Sequence, residues 1–416
     1  MIKLPAFIFL FLVGVSSHSA GSPDHGATHA RSGINSQIGC TEAMILCAKT
    51  VTAAVAESGR IWFAWTVGQH LYINYSDDRG LSFSPPFKVN QVPEKIAARG
   101  ENRPKIALDK AGNIYLSWVN NLPQKWKANI RFAWSDNQGE SFSAPLTIND
   151  DSKIASHSFN EMLVSDDGQV HIGWLDGRRA DLAREQNQAY KGSAIYFASF
   201  KTKSITQAIS APKNVHLTDG SCVCCRLGMA LDLQERPLVM WRHIFGDNIR
   251  DHALLAMDSA DRAGKLTRVS FENWKIEGCP HHGPSLLSQE RGNNQRLHMS
   301  WFNDAPQASG LFYAFTDDQG ENLSETLHLA SSDTRPGHPF LGLTADKKLQ
   351  LVWQEFNGEQ HSIKLMRSDA GEHWSEPQEI AHASGVTDYP FILSHPKGNL
   401  LLWHRLGQPL QLIEID

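Results

Sequence analysis

The chain has 416 residues, a net charge of −5 and 41% hydrophobic residues. That length is large for one ordinary domain unless a repeat architecture absorbs it. The mild acidity, with no long basic run, argues against a nucleic-acid partner.

At the N-terminus, Lys3 precedes an apolar run ending near Val15, followed by small residues at Ser16, Ser17, Ser19 and Ala20. This pattern predicts a secretory signal over residues 1–20, too short to span a bilayer as a mature anchor. Residues 21–38 are polar, with Gly, Ser and His, and are expected to be a flexible leader. Cys40 lies too far from the apolar run to be a lipid-attachment site. The mature protein is therefore expected in the periplasm or outside the cell, without a membrane span.

Residues 39–416 read as a single repeat domain. An apolar strand, a polar turn and a strand ending in Trp recur, with Trp65, Trp118, Trp174, Trp241, Trp301, Trp353 and Trp403 closing the seven copies. The copies stand about 50–67 residues apart, the spacing of a blade-like repeat. Each carries a third strand, such as Leu71–Tyr75, and a fourth, such as Pro145–Ile148. The segments are short, turn-bounded and rich in β-branched and aromatic residues. Four strands per unit predict an all-β fold, a β-propeller with seven blades preferred and a six-bladed ring as the alternative. The last unit shows three clear strands, and Ala43–Cys47 is expected to supply its fourth and clasp the ring.

A second repeat links third to fourth strands. It reads Ser76-Asp77-Asp78-Arg79-Gly80, Ser135-Asp136-Asn137-Gln138-Gly139, Thr316-Asp317-Asp318-Gln319-Gly320 and a shortened Ser368-Asp369-Ala370-Gly371. Asp and Asn side chains bond nearby backbone groups and Gly supplies a positive φ, so these residues hold turns.

Propeller topology puts these turns on one face. The opposite face gathers the loops that enter inner strands and those that follow each Trp, a concave mouth where ligands bind. Its residues include Arg103, Glu161, the run Cys222-Val223-Cys224-Cys225-Arg226, Cys279-Pro280-His281-His282-Gly283-Pro284, Arg335, His338 and Tyr389. Asp176, Arg242 and Arg250 follow Trp-bearing strands.

The four turns resemble the Asp-box (BNR) repeats of the sialidase (neuraminidase) superfamily, over roughly residues 50–405. Asp219-Gly220-Ser221-Cys222-Val223-Cys224-Cys225 with Cys279-Pro280-x-x-Gly283-Pro284 looks like a subgroup of exported bacterial sialidase-like propellers. The resemblance implies an exo-glycosidase acting on acidic sugars. Arginines (Arg103, Arg226, Arg242, Arg250, Arg335) would bind a carboxylate or other small anion, Tyr389 would attack, Glu161 would activate it and Asp176 would serve as acid/base. The Phe/Tyr-Arg-Ile/Leu-Pro motif that opens typical members is absent.

Two other readings stay open. Cys222, Cys224, Cys225, Cys279, His281 and His282 form a thiolate–imidazole set suited to copper or zinc. The same cysteines could instead form disulfides in an exported chain, Cys40 with Cys47 and Cys279 with one of the trio; adjacent Cys224 and Cys225 are poorly placed to bond each other. The third reading is a non-catalytic propeller that binds a glycan or protein, contacted by Trp126 on one loop and Tyr190 on the insert 179–192.

Overall fold

The computed structural model describes residues 43–207 and 209–416; the expected signal and leader lie outside them. The described chain forms seven antiparallel sheets, each built from strands consecutive in sequence. Blade 1 comprises Val51–Val55, Ile61–Val67, His70–Ser76 and Phe87–Lys88. Blades 2 to 6 repeat the four-strand pattern, with inner strands Lys105–Leu108, His157–Val164, Gly228–Leu231, Ser285–Arg291 and Gly337–Leu343. Blade 7 has three strands, Phe391–Leu393, Leu400–Leu402 and Leu412–Glu414. The protein is a seven-bladed β-propeller.

Alternation within each strand explains the packing. Successive side chains point to opposite faces, so each blade presents apolar residues to both neighbours. Six of the seven repeat tryptophans are at most 1% exposed and the last, Trp403, is 5% exposed. Seven apolar clusters fill the seven junctions. That between blades 7 and 1 joins Leu393, Leu400 and Leu402 to Val51, Ile61, Phe63 and Trp65. Ring closure therefore rests on the same apolar burial as every other junction.

The clasp departs from expectation. Ala43–Cys47 is not a fourth strand: Ile45–Cys47 forms one 3-10 turn, with the Cys47 and Ala48 amides bonded to the Met44 and Ile45 carbonyls. These local bonds occupy groups that a sheet edge would have used. The segment still fastens the ring. Ala43 and Ile45 pack on the blade 7/1 cluster, and the Ala48 carbonyl meets His404 Nε2 at 2.8 Å.

The three full-length Asp-box turns follow one scheme. The first hydroxyl accepts from the glycine amide, at 2.8 Å for Ser76 and Gly80 and 2.9 Å for Ser135 and Gly139. The Asp or Asn accepts from the backbone four residues on, as Asp78 does from the Ser82 amide at 2.8 Å. Gly139 is required twice over: its φ is +80°, and a Cβ there would come within 2.9 Å of the Trp62 ring on the preceding blade.

Candidate functional site

The loops entering the inner strands converge around the axis, as topology requires. Their charged groups are largely buried, paired with an opposite charge or bonded to backbone carbonyls. Arg103, 1% exposed, forms a bidentate pair with Asp388, its Nη1 at 2.6 Å from Oδ2, and its Nε donates to the Gly100 carbonyl at 2.5 Å. Arg226 donates from Nη2 to the Pro339 carbonyl at 2.7 Å and from Nε to that of Pro284 at 3.1 Å. Arg242 donates to the carbonyls of Arg250, Phe302 and His282 at 2.9, 2.7 and 3.2 Å, with its guanidinium 4.8 Å from the Trp274 ring centre. Arg335 is exposed, 5.9 Å from the Phe356 ring centre.

The residues named above for glycosidic chemistry are placed as follows. Glu161 receives the Lys105 ammonium at 2.8 Å. The Tyr389 ring stacks on His338 at 3.3 Å between centres; burial and the nearby Glu101 charge push its phenol well above the usual range. Asp176 belongs to a separate buried cluster: it accepts from Trp174 Nε1 at 2.8 Å, pairs with Arg178 at 3.0 Å, and lies 3.3 Å from His157 Nε2. His157 also lies 3.2 Å from Asp151. Burial opposes its charge, but the two carboxylates prevail and raise it to about 9. This cluster anchors the start of the helix Arg178–Glu185 on the insert. Lys127 reaches Asp181 of that helix at 2.5 Å, tying the insert to the loop that carries the exposed Trp126. Tyr190 donates to Asp219 at 2.8 Å.

One central residue escaped the sequence reading. Glu101, 6% exposed, accepts from the Arg226 amide at 3.3 Å, the Gly283 amide at 3.1 Å and His338 Nδ1 at 3.1 Å. A carboxylate only accepts, so Nδ1 of His338 carries the proton. Burial favours protonation of Glu101, yet the Arg226 guanidinium, 3.6 Å away, and His338 hold it well below the usual carboxylate range. Burial pushes His338 itself down, toward the neutral ring. Glu101 thus pins the loop ending in Cys225-Arg226 to the loop ending in His282-Gly283. Gly283 permits this approach, because a Cβ there would fall 2.1 Å from Arg226 Cγ and 2.9 Å from its amide nitrogen. The available signal was an acid immediately before Asn102-Arg103-Pro104, in a mouth otherwise crowded with arginines.

Above this pin lie the cysteines. Cys222, Cys224 and Cys225 are unbonded and 1%, 4% and 2% exposed. Sγ of Cys222 lies 3.8 Å from that of Cys224 and 3.9 Å from that of Cys225, and all three lie within 4.8 Å of one another. The Cys222 amide donates to the Arg242 carbonyl at 2.9 Å, while Val223 faces solvent. Contacts from the other two thiols, aided by Arg242 and Arg250, hold Cys222 well below the usual thiol range. Cys224 and Cys225 are pushed up, chiefly by Cys222. Arg250 Nη1 lies 3.4 Å from Cys222 Sγ. Cys279 is unbonded and exposed. His281 and His282 stand outside the three-sulfur group. The His282 ring lies 4.3 Å from that of Phe302 and 4.8 Å from that of His338. Cys47 is disulfide-bonded; Cys40 lies outside the described residues.

No protein-family model and no curated protein sequence matches this chain. Solved structures do. A polysaccharide lyase of family PL25, an ulvan lyase, superposes with a TM-score of 0.52 at 10% identity, covering 87% of this chain and 91% of the lyase. The Hadza microbial sialidase Hz136 gives a TM-score of 0.44 at 13% identity over 80% of this chain, which spans 65% of the sialidase's length. An α-L-arabinanase of Penicillium chrysogenum gives 0.47 at 11% identity, covering 79% of this chain and 95% of the arabinanase. The likeness to the lyase is one of fold, a β-propeller. Fold does not fix chemistry, which must be read from the site. Among the described residues no helix is long and apolar enough to cross a membrane.

Proposed function

We propose that this chain is an exported propeller whose mouth binds one soft, thiophilic metal ion, copper(I) or zinc, through Cys222, Cys224 and Cys225. The sulfur spacing carries this reading. Sulfurs sharing one ion at a bond length of about 2.3 Å stand about 3.8–4.0 Å apart in tetrahedral or trigonal arrangement, and the two closest contacts here are 3.8 and 3.9 Å. Thiolate donors select copper(I) and zinc over harder cations. Arg242 and Arg250 offset the negative charge that bound thiolates accumulate.

The acidic-sugar reading needs arginines free to grip a carboxylate. Arg103, Arg226 and Arg242 direct donors to Asp388 and to backbone carbonyls instead, and Glu161 is committed to Lys105.

Titration of the reduced full-length protein with copper(I) and with zinc, against a chromophoric competitor, tests the proposal. One ion per chain is expected, with Cys224→Ser losing most of the occupancy while retaining the far-ultraviolet spectrum of the ring. Full occupancy in that variant would remove Cys224 as a ligand. Turnover of a fluorogenic sialoside by the wild type, abolished in Tyr389→Phe, would return the assignment to glycosidic chemistry.

A further inference from the structure

Resting on the metal-binding reading above, we infer that the ion is monovalent, copper(I) held by three sulfurs alone, and that Arg250 is the residue that selects it over zinc. Donor number is the first observation. No histidine, carboxylate or fourth cysteine among the described residues joins the three-sulfur group. With no member of the trio more than 4% exposed, solvent has little access to supply a further donor. Three thiolates satisfy copper(I), whereas zinc in closed sites takes four ligands. Charge is the second observation. Arg103 and Arg226 face the carboxylates of Asp388 and Glu101. Arg250 instead donates from Nε to the neutral Asn248 amide oxygen at 2.9 Å, and its Nη1 meets Cys222 Sγ at 3.4 Å. The turn that presents it is the third. Asp247 and Asn248 both have left-handed backbones, with φ of +54° and +60°. Such residues persist where surrounding contacts hold them. Here the Asn248 amide donates to the Ile276 carbonyl at 2.9 Å and to Glu277 at 2.6 Å, which fixes the oxygen that grips Arg250.

Cysteines bind metal as thiolates and give up their protons to solvent. Three thiolates with copper(I) leave two negative charges, and with zinc they leave one. Two guanidiniums stand ready to face them. One is that of Arg250. The other is that of Arg242, whose carbonyl accepts from the Cys222 amide at 2.9 Å and whose Nη1 donates to the Arg250 carbonyl at 2.9 Å. Copper(I) therefore brings the site to neutrality, while zinc leaves one uncompensated positive charge on side chains that cannot shed a proton. The empty protein is common to both equilibria, so the ratio of the two affinities reads the effect of a single unit charge facing Arg250. At about 5 Å and an effective dielectric constant of about 20–40, that charge changes the ratio by about tenfold or more.

Competition titrations of the reduced full-length protein, with copper(I) and with zinc against a chromophoric chelator of each, test the inference. In Arg250→Gln the ratio of copper(I) to zinc affinity is expected to fall by about tenfold or more, chiefly through weaker copper binding. Arg250→Lys keeps the charge and should hold the ratio within about threefold of wild type. X-ray absorption of the copper-loaded wild type needs no variant and should show three sulfurs with no nitrogen or oxygen donor. An unchanged ratio in Arg250→Gln would overturn the selection by charge. Equal loss of both ions in that variant would also overturn it, leaving Arg250 a support for the loop. A fourth donor on copper would overturn the three-sulfur site. A wild type that binds neither ion would instead defeat the metal-binding reading itself.

Discussion

Glu101→Gln is expected to lower the unfolding free energy by about 3–5 kcal/mol, the cost of removing one partner from a buried ion pair. The substitution keeps the volume but removes the charge that faces Arg226. Arg226 then keeps only its carbonyl partners, those of Pro284 and Pro339, in a setting where the guanidinium cannot shed its proton. The amide also presents hydrogens where three donors now converge, from Arg226, Gly283 and His338. The measurement is the urea midpoint under reducing conditions, with an unchanged slope reporting a loss of stability rather than a change of denatured state. Because Glu101 holds the two cysteine-bearing loops together, copper(I) affinity should fall in the same variant. Arg226→Met in the Glu101→Gln background should restore part of the stability, since it removes the guanidinium that the first substitution leaves buried without a counter-charge. A midpoint unchanged from wild type would show that Glu101 is dispensable to the ring.

The second large effect is a dependence on pH. His157 has its folded value raised from 6.5 to about 9 by Asp151 and Asp176. A raised folded value means that its contribution is complete below pH 6.5 and is lost as pH climbs through 9. A shift of that size corresponds to about 3 kcal/mol. The carboxylates run the other way. Asp151 is lowered to about 2 and Asp176 is also lowered, so their contribution is present above their ordinary values and lost in acid. The Asp151–His157–Asp176–Arg178 cluster therefore stabilises blade 3 most strongly between about pH 4 and 6.5. Urea midpoints for the wild type should fall between pH 6.5 and 9.5, and His157→Gln should flatten that dependence. A wild-type profile flat over this interval would show that His157 is not charged in the fold.

What was legible in the sequence follows the range of the interactions. The Asp-box turns bond within eight residues, and the tryptophans repeat with the blades, so the propeller fold and a preference for seven blades over six could be read directly. The cysteine trio was likewise legible, because three thiols within four residues are neighbours whatever surrounds them. Ala43–Cys47 misled because a short apolar run suits a strand edge or a single buried turn equally well. The mouth arginines could be named from the sequence, but their partners could not be read. Arg103 and Asp388 are 285 residues apart and Arg226 and Glu101 are 125 apart; nothing local marks either pair. Glu101 went unnoticed for the same reason, since its three partners come from blades 4, 5 and 6.

These long-range pairs also make the axis a test of completeness. During N-to-C synthesis, blade 2 brings Arg103 and Glu101 into place well before their partners exist. A chain ending after blade 5 leaves Glu101 without His338, and one ending after blade 6 leaves Arg103 facing no Asp388. Partial rings thus carry uncompensated charge at their centre as well as an open apolar edge. Only the full-length polypeptide removes both faults at once, so premature products are marked as defective by the very residues that stabilise the finished ring.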